Sequence, residues 1–540
     1  MFRFSPNPND AHRIHWQDWG PAAFERARDE GKPVMLFLGA FWCGVCQRMD
    51  ETTLSHTEVI ALLNAYFVPV RVEDAQRPDI DVRYNRNGWP TIVFMSAEGD
   101  YLAGINYLSA TDFTDVLVRI HVGYQERGTD SGTDPAATVS TGPDPAAWST
   151  VEPEREAPAS SAPVTTSAPS SPAAVPHHAS PENPSPDPGT LDRIAETVWR
   201  LADPVHGGYE IDRKFPHCEV NEFLLLRHQA TGDARFLNHV RLTLYNMHQS
   251  KTHDPEGGFF RYSSKRDWSE PHHEKLLADH AGLLDNALHV FELTRESFFR
   301  ELAEELLEYL QRGFRDPSMP FFHGCRDYIR VTPGRDDPPG SLPHRNRGMF
   351  SITDPWMYTD ANARAVRACL RAARTLGRQD CAEHALATLR LLLERSWDGT
   401  RGMAHYFDDA PRLRGLLADQ VWMGRALISG FETTHDSLFR QRAEVLADFV
   451  RARLRNPAGG YFDIAEKGPA YLHYPLTLIT ENGAAARFFL ELFDLTGKAE
   501  HRDAALWALK CFVGDFADYG VHVAEYGTAL GEYVARADPG

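Results

Sequence analysis

The sequence predicts an α/β unit followed by an all-α (α/α)6 toroid, and three observations predict it. Residues 128–189 are Pro, Ala, Ser and Thr with almost no aliphatic content, too little apolar surface to offset the entropy of ordering. They read as a disordered tether between residues 1–127 and residues 190–540. Before the tether, short apolar runs alternate with helical patterns; after it, long amphipathic helices recur in pairs. Thirteen of the 36 prolines lie in residues 135–188, so the folded parts are poorer in proline than the whole chain.

In the first unit GPAAFERARDEG (20–31) has a helical pattern and precedes the apolar run Pro33–Leu38, which has the length and bounds of a buried strand. AFWCGVC (40–46) follows, then a helix over 57–65 and the short strand-like run YFVPVRVE (66–73). GWPTIVFMSAEGDYLAG (88–104) reads as a hairpin turning at glycine, and SATDFTDVLVRIH (109–121) as a closing helix. This is the order of a thioredoxin-like domain.

In the second unit Leu277, Ala281, Leu284, Leu288 and Phe291 mark one buried helical face. Helix breaks begin at Thr231, Thr294, Leu376, Thr434 and Thr496, at intervals of 63, 82, 58 and 62 residues. A helical hairpin therefore repeats about every 60 residues, with one insertion at 331–348. Glycine–aromatic segments at 206–210, 256–262, 402–409 and 458–463 each precede the next pair. Five hairpins plus the remaining terminal helices allow six, which closes a ring; an open solenoid is the alternative.

The 75 acidic and 56 basic residues leave a formal charge of −19, which disfavours nucleic acid and anionic membrane as partners. No run of about 18 apolar residues occurs, and the polar start lacks the apolar core of a secretory signal. A cytoplasmic protein is the expectation. Five of the seven cysteines are scattered singly and read as small buried residues; only Cys43 and Cys46 form a pair.

Trp42-Cys43-Gly44-Val45-Cys46 lies between a strand and a helical segment. A helix N-terminus favours a thiolate, so Cys43 is the expected nucleophile and Cys46 the resolving thiol. Zinc would need two further ligands, and no second CxxC or HxxxH accompanies the pair. Trp89-Pro90 heads the next apolar strand, where a cis proline facing the cysteines is expected; an ordinary edge-strand proline is the alternative.

These segments resemble the YyaL and spermatogenesis-associated thioredoxin family. The resemblance rests on residues 20–39, CGVCQRMDETTLSHTEVIALLNAYFVPVRVE, RPDID (77–81) and GWPTIVF in the first unit. In the second it rests on RKFPHCEVNEFLLLRHQATGD, residues 256–288 and Thr359–Ala363. It implies a thioredoxin domain followed by a six-hairpin glycosidase-like toroid. Gly44-Val45 and Gln47 depart from the histidine-bearing motif usual in that family, and Phe37 stands where ordinary thioredoxins place a buried acid.

A six-hairpin toroid resembles glycosidases and sugar epimerases, whose pocket lies at the loop end of the ring. The candidates here are Lys214, Trp268, His273, Glu274, Asp279, Asp354, Trp356, Asp360, Asp419 and Glu481. Carboxylates near helix starts can exchange protons with a sugar while tryptophan stacks on it. The same residues can instead be caps and paired charges. His273-Glu274-Lys275 is expected to open a helix. The leading expectation is a thiol–disulfide redox protein whose toroid binds a client protein or small ligand. A carbohydrate-active enzyme with a redox-sensing domain is the alternative, and neither cofactor nor metal is expected.

Overall fold

The computed structural model describes residues 2–129, 188–330, 342–343, 349–465 and 474–537, and the chain separates into two compact units. Residues 130–187 of the tether and most of the 331–348 insertion lie outside the described residues, while residues 128–129 and 188–189 belong to helices.

The first unit is built on a mixed sheet of order β2-β1-β3-β4, from β1 (Val34–Gly39), β2 (Val68–Glu73), β3 (Thr91–Met95) and β4 (Tyr101–Ile105). β1 runs parallel to β2 and antiparallel to β3, with Phe37 opposite Arg71 and Ile92. Alternation along β1 and β3 feeds two apolar layers. Met35, Phe37, Ile92 and Phe94 pack with Cys46, Leu63 and Phe113, whereas Val34, Leu36 and Val93 pack with Phe24, Ala27 and Ile80. The helices are α1 (Pro21–Glu30), α2 (Gly44–Glu51), α3 (Thr57–Tyr66), α4 (Pro78–Tyr84) and α5 (Ala110–Thr129). Sequence reading omits α4, a seven-residue helix whose Pro78 sits in its first turn.

The second unit begins with α6 (Pro188–Trp199), followed by five hairpins: α7 (Cys218–Thr231) with α8 (Ala234–Gln249), α9 (Leu277–Thr294) with α10 (Ser297–Tyr309), α11 (Thr359–Leu376) with α12 (Gln379–Ser396), α13 (Leu417–Thr434) with α14 (Ser437–Phe449), and α15 (Ile479–Thr496) with α16 (Ala499–Lys510). α17 (Ala524–Ala537) ends the described chain and packs on α6 as the sixth pair. The odd-numbered helices from α7 to α17 form an inner ring in which each packs on the next and α17 packs back on α7. The (α/α)6 expectation is met, and every predicted hairpin break is a real turn. Gly232, Arg295, Gly377, His435 and Gly497 each terminate an inner helix in the left-handed conformation.

Short strands decorate the end where inner helices begin: β5 (Tyr262–Ser263), β6 (Pro271–His272), β7 (Lys275–Leu276), β8 (Cys325–Arg330), β9 (Leu342–Pro343), β10 (Met349–Thr353), β11 (Met357–Tyr358), β12 (Ala404–Phe407) and β13 (Pro411–Arg414). His273-Glu274-Lys275 therefore precedes α9, with His273 and Glu274 linking two short strands and Lys275 opening the second. Pairing of Lys275 with Arg326 and of Leu276 with Cys325 holds the segment extended, and the helix starts only at Leu277.

The glycine–aromatic segments have a structural cause. The fourth residue of an inner helix turns a buried amide or imidazole onto the incoming loop: His280 Nε2 accepts from Phe259 N–H at 3.0 Å, Gln420 Oε1 from Met403 at 2.8 Å and Asn482 Oδ1 from Tyr461 at 2.7 Å. Asn362 takes Phe322 N–H in the same way, at 2.8 Å. Gly258, Gly402 and Gly460 precede three of these residues with φ of 72°, 74° and 71°. A Cβ there would fall 2.6, 2.5 and 2.8 Å from the clamping atom. Left-handed backbone and close approach both demand glycine.

Candidate functional site

In the first unit Cys43 is the residue before α2 and Cys46 lies in its first turn, joined by a disulfide. Cys43 Sγ accepts the Cys46 N–H at 3.1 Å, so the helix terminus presents a donor to the sulfur expected to carry thiolate charge. The Trp89–Pro90 peptide is cis. Trp42 and Trp89 meet edge to face with centroids 5.0 Å apart. Asp81 of α4 accepts from Trp89 Nε1 at 2.8 Å and from Asn85 Nδ2 at 3.0 Å. α4, absent from the sequence reading, thus anchors the tryptophan beside the cysteines.

Phe37 is fully buried. Arg71 lies over its ring, 4.6 Å from the centroid, and donates to both oxygens of buried Asp50 at 2.8 Å. Asp50 follows Cys46 by one helical turn, yet its charge is committed to this bidentate pair.

In the second unit four of the predicted acids occupy equivalent places. Asp279, Asp360, Asp419 and Glu481 stand in the first turns of α9, α11, α13 and α15. Glu219 and Glu525, which sequence reading misses, do the same in α7 and α17. Each inner helix therefore opens on one acid, placed where free backbone N–H groups favour negative charge. A legible signal existed: an acid followed within two residues by His, Asn or Gln, as in Glu219/Asn221, Asp279/His280, Asp360/Asn362, Asp419/Gln420 and Glu481/Asn482. The helix starts lie at one end of the ring. Cys218 Sγ is 3.7 Å from the Asp279 carbonyl oxygen, and Arg364 of α11 reaches Glu219 of α7 at 3.1 Å.

Around α11 and α13 the site gathers aromatic and imidazole groups. His405 of β12 sets Nδ1 3.0 and 3.2 Å from the two Asp419 oxygens. Trp356 and Tyr406 stack at 5.6 Å. The Tyr358 hydroxyl donates to Asp354 at 2.8 Å, and Asp354 also accepts the Trp356 N–H at 3.2 Å. Arg364 lies 3.9 Å from the centre of the Trp422 ring. His405 and Arg364 are absent from the sequence-derived candidates.

Other candidates are tied up elsewhere. Lys214 is fully buried and donates to Asp203 at 2.9 Å and to the Glu210 carbonyl at 2.7 Å. Trp268 is buried, its indole N–H on the His206 carbonyl at 2.9 Å. Lys275 donates to Asp254 at 2.6 Å, so it stands apart from its sequence neighbours as a buried ion-pair member. Glu274 approaches Arg261 at 3.6 Å, and the His273 ring meets Phe260 at 4.9 Å.

Burial pushes the Asp279 carboxyl up to about 7, against the attraction of Arg261. Burial likewise pushes Asp419 up to about 6, with His405 opposing. Deeper in the ring, burial works against ionisation of Glu491, but Arg367 and Arg425 outweigh it and hold the carboxyl down to about 2. Arg425 donates to Glu491 at 2.9 Å and Arg487 to Glu532 at 3.0 Å, so ion pairs line the middle of the inner helices. Two groups among the described residues have the composition of metal ligands: Asp360, His405 and Asp419 at the mouth, and His248, His253 and Glu305.

Fold and site together define a thioredoxin-like domain with a disulfide-forming CxxC, followed by a six-hairpin toroid. Residues 7–139 match the thioredoxin-like DsbH family model described as "Protein of unknown function, DUF255". Spermatogenesis-associated protein 20 of Homo sapiens is 28% identical over 328 residues, covering 57% of this chain. The chain spans only 38% of that relative's length. The disulfide bond reductase DsbH of Chlamydia pneumoniae is 26% identical over 112 residues, which is 18% of this chain and 67% of that one. Among solved structures, a sugar epimerase from a ruminal bacterium superposes with a TM-score of 0.51 at 12% identity, covering 64% of this chain and 99% of that one. A D-mannose isomerase does so with a TM-score of 0.51 at 9% identity, covering 64% and 97%. Over these stretches the chain is similar to the YyaL-like, spermatogenesis-associated thioredoxin proteins. No described helix is long and apolar enough to cross a membrane.

Proposed function

We propose that the protein performs thiol–disulfide exchange through Cys43 and Cys46, within a chain divided into a thioredoxin-like domain (1–127), a tether (128–189) and a toroid (190–540). The carrying observation is the Cys43–Cys46 disulfide at the start of α2. In its reduced form the Cys43 thiolate attacks a client disulfide and forms a mixed disulfide, expelling one client thiolate. The Cys46 thiolate then attacks Cys43 Sγ, releasing the second client thiolate and closing the Cys43–Cys46 bond. The client gains two electrons and this protein loses them. Likeness over part of its length to a protein named disulfide bond reductase supports the reading. The sparse, mostly single cysteines favour a reducing, cytoplasmic setting.

Cys46→Ser retains the attacking thiol but not the resolving one, so it accumulates mixed disulfides with proteins in a cell extract, released by reductant. The double variant Cys43→Ser/Cys46→Ser accumulates none. Equal recovery from both variants would sink the proposal.

A second reading is favoured by the toroid's mouth. Partly exposed Asp279 and Asp360 in the first turns of inner helices, together with the stacked pair Trp356–Tyr406, suit a polyhydroxylated ligand such as a sugar. Proton exchange with such a ligand would use Asp279, a carboxyl whose shifted ionisation suits acid–base work near neutrality.

A further inference from the structure

We propose that Asp360, His405 and Asp419 form a binding site for a first-row divalent transition metal at the mouth of the toroid. This goes beyond the thiol chemistry and does not depend on it.

The donor atoms of the three residues all lie within 4.8 Å of one another, a span that one ion can bridge. They come from three separately anchored places: the first turn of α11, the middle of β12 and the first turn of α13. β12 is paired on both sides, by β11 and β13, so the imidazole is carried on a fixed strand and not on a free loop. Asn362 and Gln420, one or two residues beyond the two aspartates, clamp the helix starts to their loops. The donor positions are thus set before any ion arrives, which lowers the ordering cost of binding.

The charge arrangement asks for a cation. The Asp419 side chain is fully buried, and among the described residues neither Asp360 nor Asp419 makes a salt bridge with Lys or Arg. Their nearby cationic candidate is His405, which carries charge only when protonated. A buried carboxylate needs compensation by pairing, proton uptake or a metal. One imidazole nitrogen with two carboxylate oxygens is a mixed donor set suited to Zn2+, Mn2+ or Co2+; an all-oxygen set would favour Ca2+ and a thiolate set softer ions. Three protein donors leave positions for exchangeable ligands. Asp360 is partly exposed, and His405 adjoins Tyr406, which stacks on Trp356.

The test is equilibrium binding of Co2+ to the metal-stripped full chain with its Cys43–Cys46 disulfide intact, read from the visible absorption of the bound ion and by elemental analysis of dialysed protein. The His248–His253–Glu305 triad is a built-in competitor, so His253→Gln serves as the control variant. One equivalent of Co2+ is expected on wild type and on His253→Gln, displaced by Zn2+. Asp360→Asn and His405→Gln should each weaken binding at least about tenfold, with melting profiles showing that both remain folded. Asp360→Asn replaces a partly exposed group and keeps the test available if the buried His405 variant does not fold. No stoichiometric binding to wild type, loss confined to His253→Gln, or unchanged affinity in Asp360→Asn would each overturn the assignment.

Discussion

At the residue scale, burial decides the chemistry of otherwise ordinary carboxyl groups. Asp279 makes no hydrogen bond or ion pair with its side chain among the described residues, and burial pushes its carboxyl up to about 7. A carboxyl whose folded value exceeds its unfolded value binds its proton more tightly when folded. It imposes no penalty below about pH 4, and a penalty that grows until the folded group also ionises near neutrality. Asp279→Asn removes the charge, so it should raise the melting temperature near pH 8 and leave it unchanged near pH 4. A pH-independent difference would show that the carboxyl is solvated. Asp50 illustrates the opposite outcome: a buried acid close to the cysteines in sequence, whose negative charge is spent on Arg71.

At the element scale, the repeat is held by contacts between a helix start and the loop that precedes it. The glycine–aromatic periodicity is legible in sequence because each hairpin repeats it. Its partner, the fourth residue of the inner helix, is harder to see because His280, Asn362, Gln420 and Asn482 share a hydrogen-bonding role but not a residue type. Gly402→Ala forces a left-handed alanine against Gln420 Oε1 and should cost about 1–3 kcal/mol. Asn482→Leu strands the buried Tyr461 N–H and should cost a similar about 1–3 kcal/mol. Chemical denaturation of the full chain measures both; a cost below about 0.5 kcal/mol for each, the usual range of a surface change, would refute the clamp. α4 escaped the sequence reading because seven residues span too few turns to display a periodicity.

At the scale of the whole toroid, closure of the inner ring gathers six acids at one end and fills its middle with ion pairs such as Arg425–Glu491 and Arg487–Glu532. Those pairs commit the charges of the inner helices to one another, so a ligand is expected at the acid-bearing mouth, against Trp356. A panel of free hexoses and disaccharides should therefore include at least one that quenches intrinsic tryptophan fluorescence saturably, and Trp356→Ala should abolish that change while leaving the fold intact. Absence of any saturable response across the panel, or an undiminished one in Trp356→Ala, would remove the sugar reading and leave the thiol reading standing.

The local pattern of residues was sufficient for the two classes of fold, the placement of Cys43 and Cys46 at a helix start, the turns between paired helices and four of the six mouth acids. Each of these is written within one or two turns of chain, where spacing and residue type directly express backbone geometry. Tertiary structure alone decided that α17 closes on α7, that Lys214 and Lys275 disappear into buried ion pairs, and that His405 arrives beside Asp360 and Asp419. These outcomes join segments far apart in sequence through packing and charge compensation, which leave no period along the chain. A lysine that ends on a buried aspartate has the same sequence appearance as one that ends in solvent, and only the folded environment separates them.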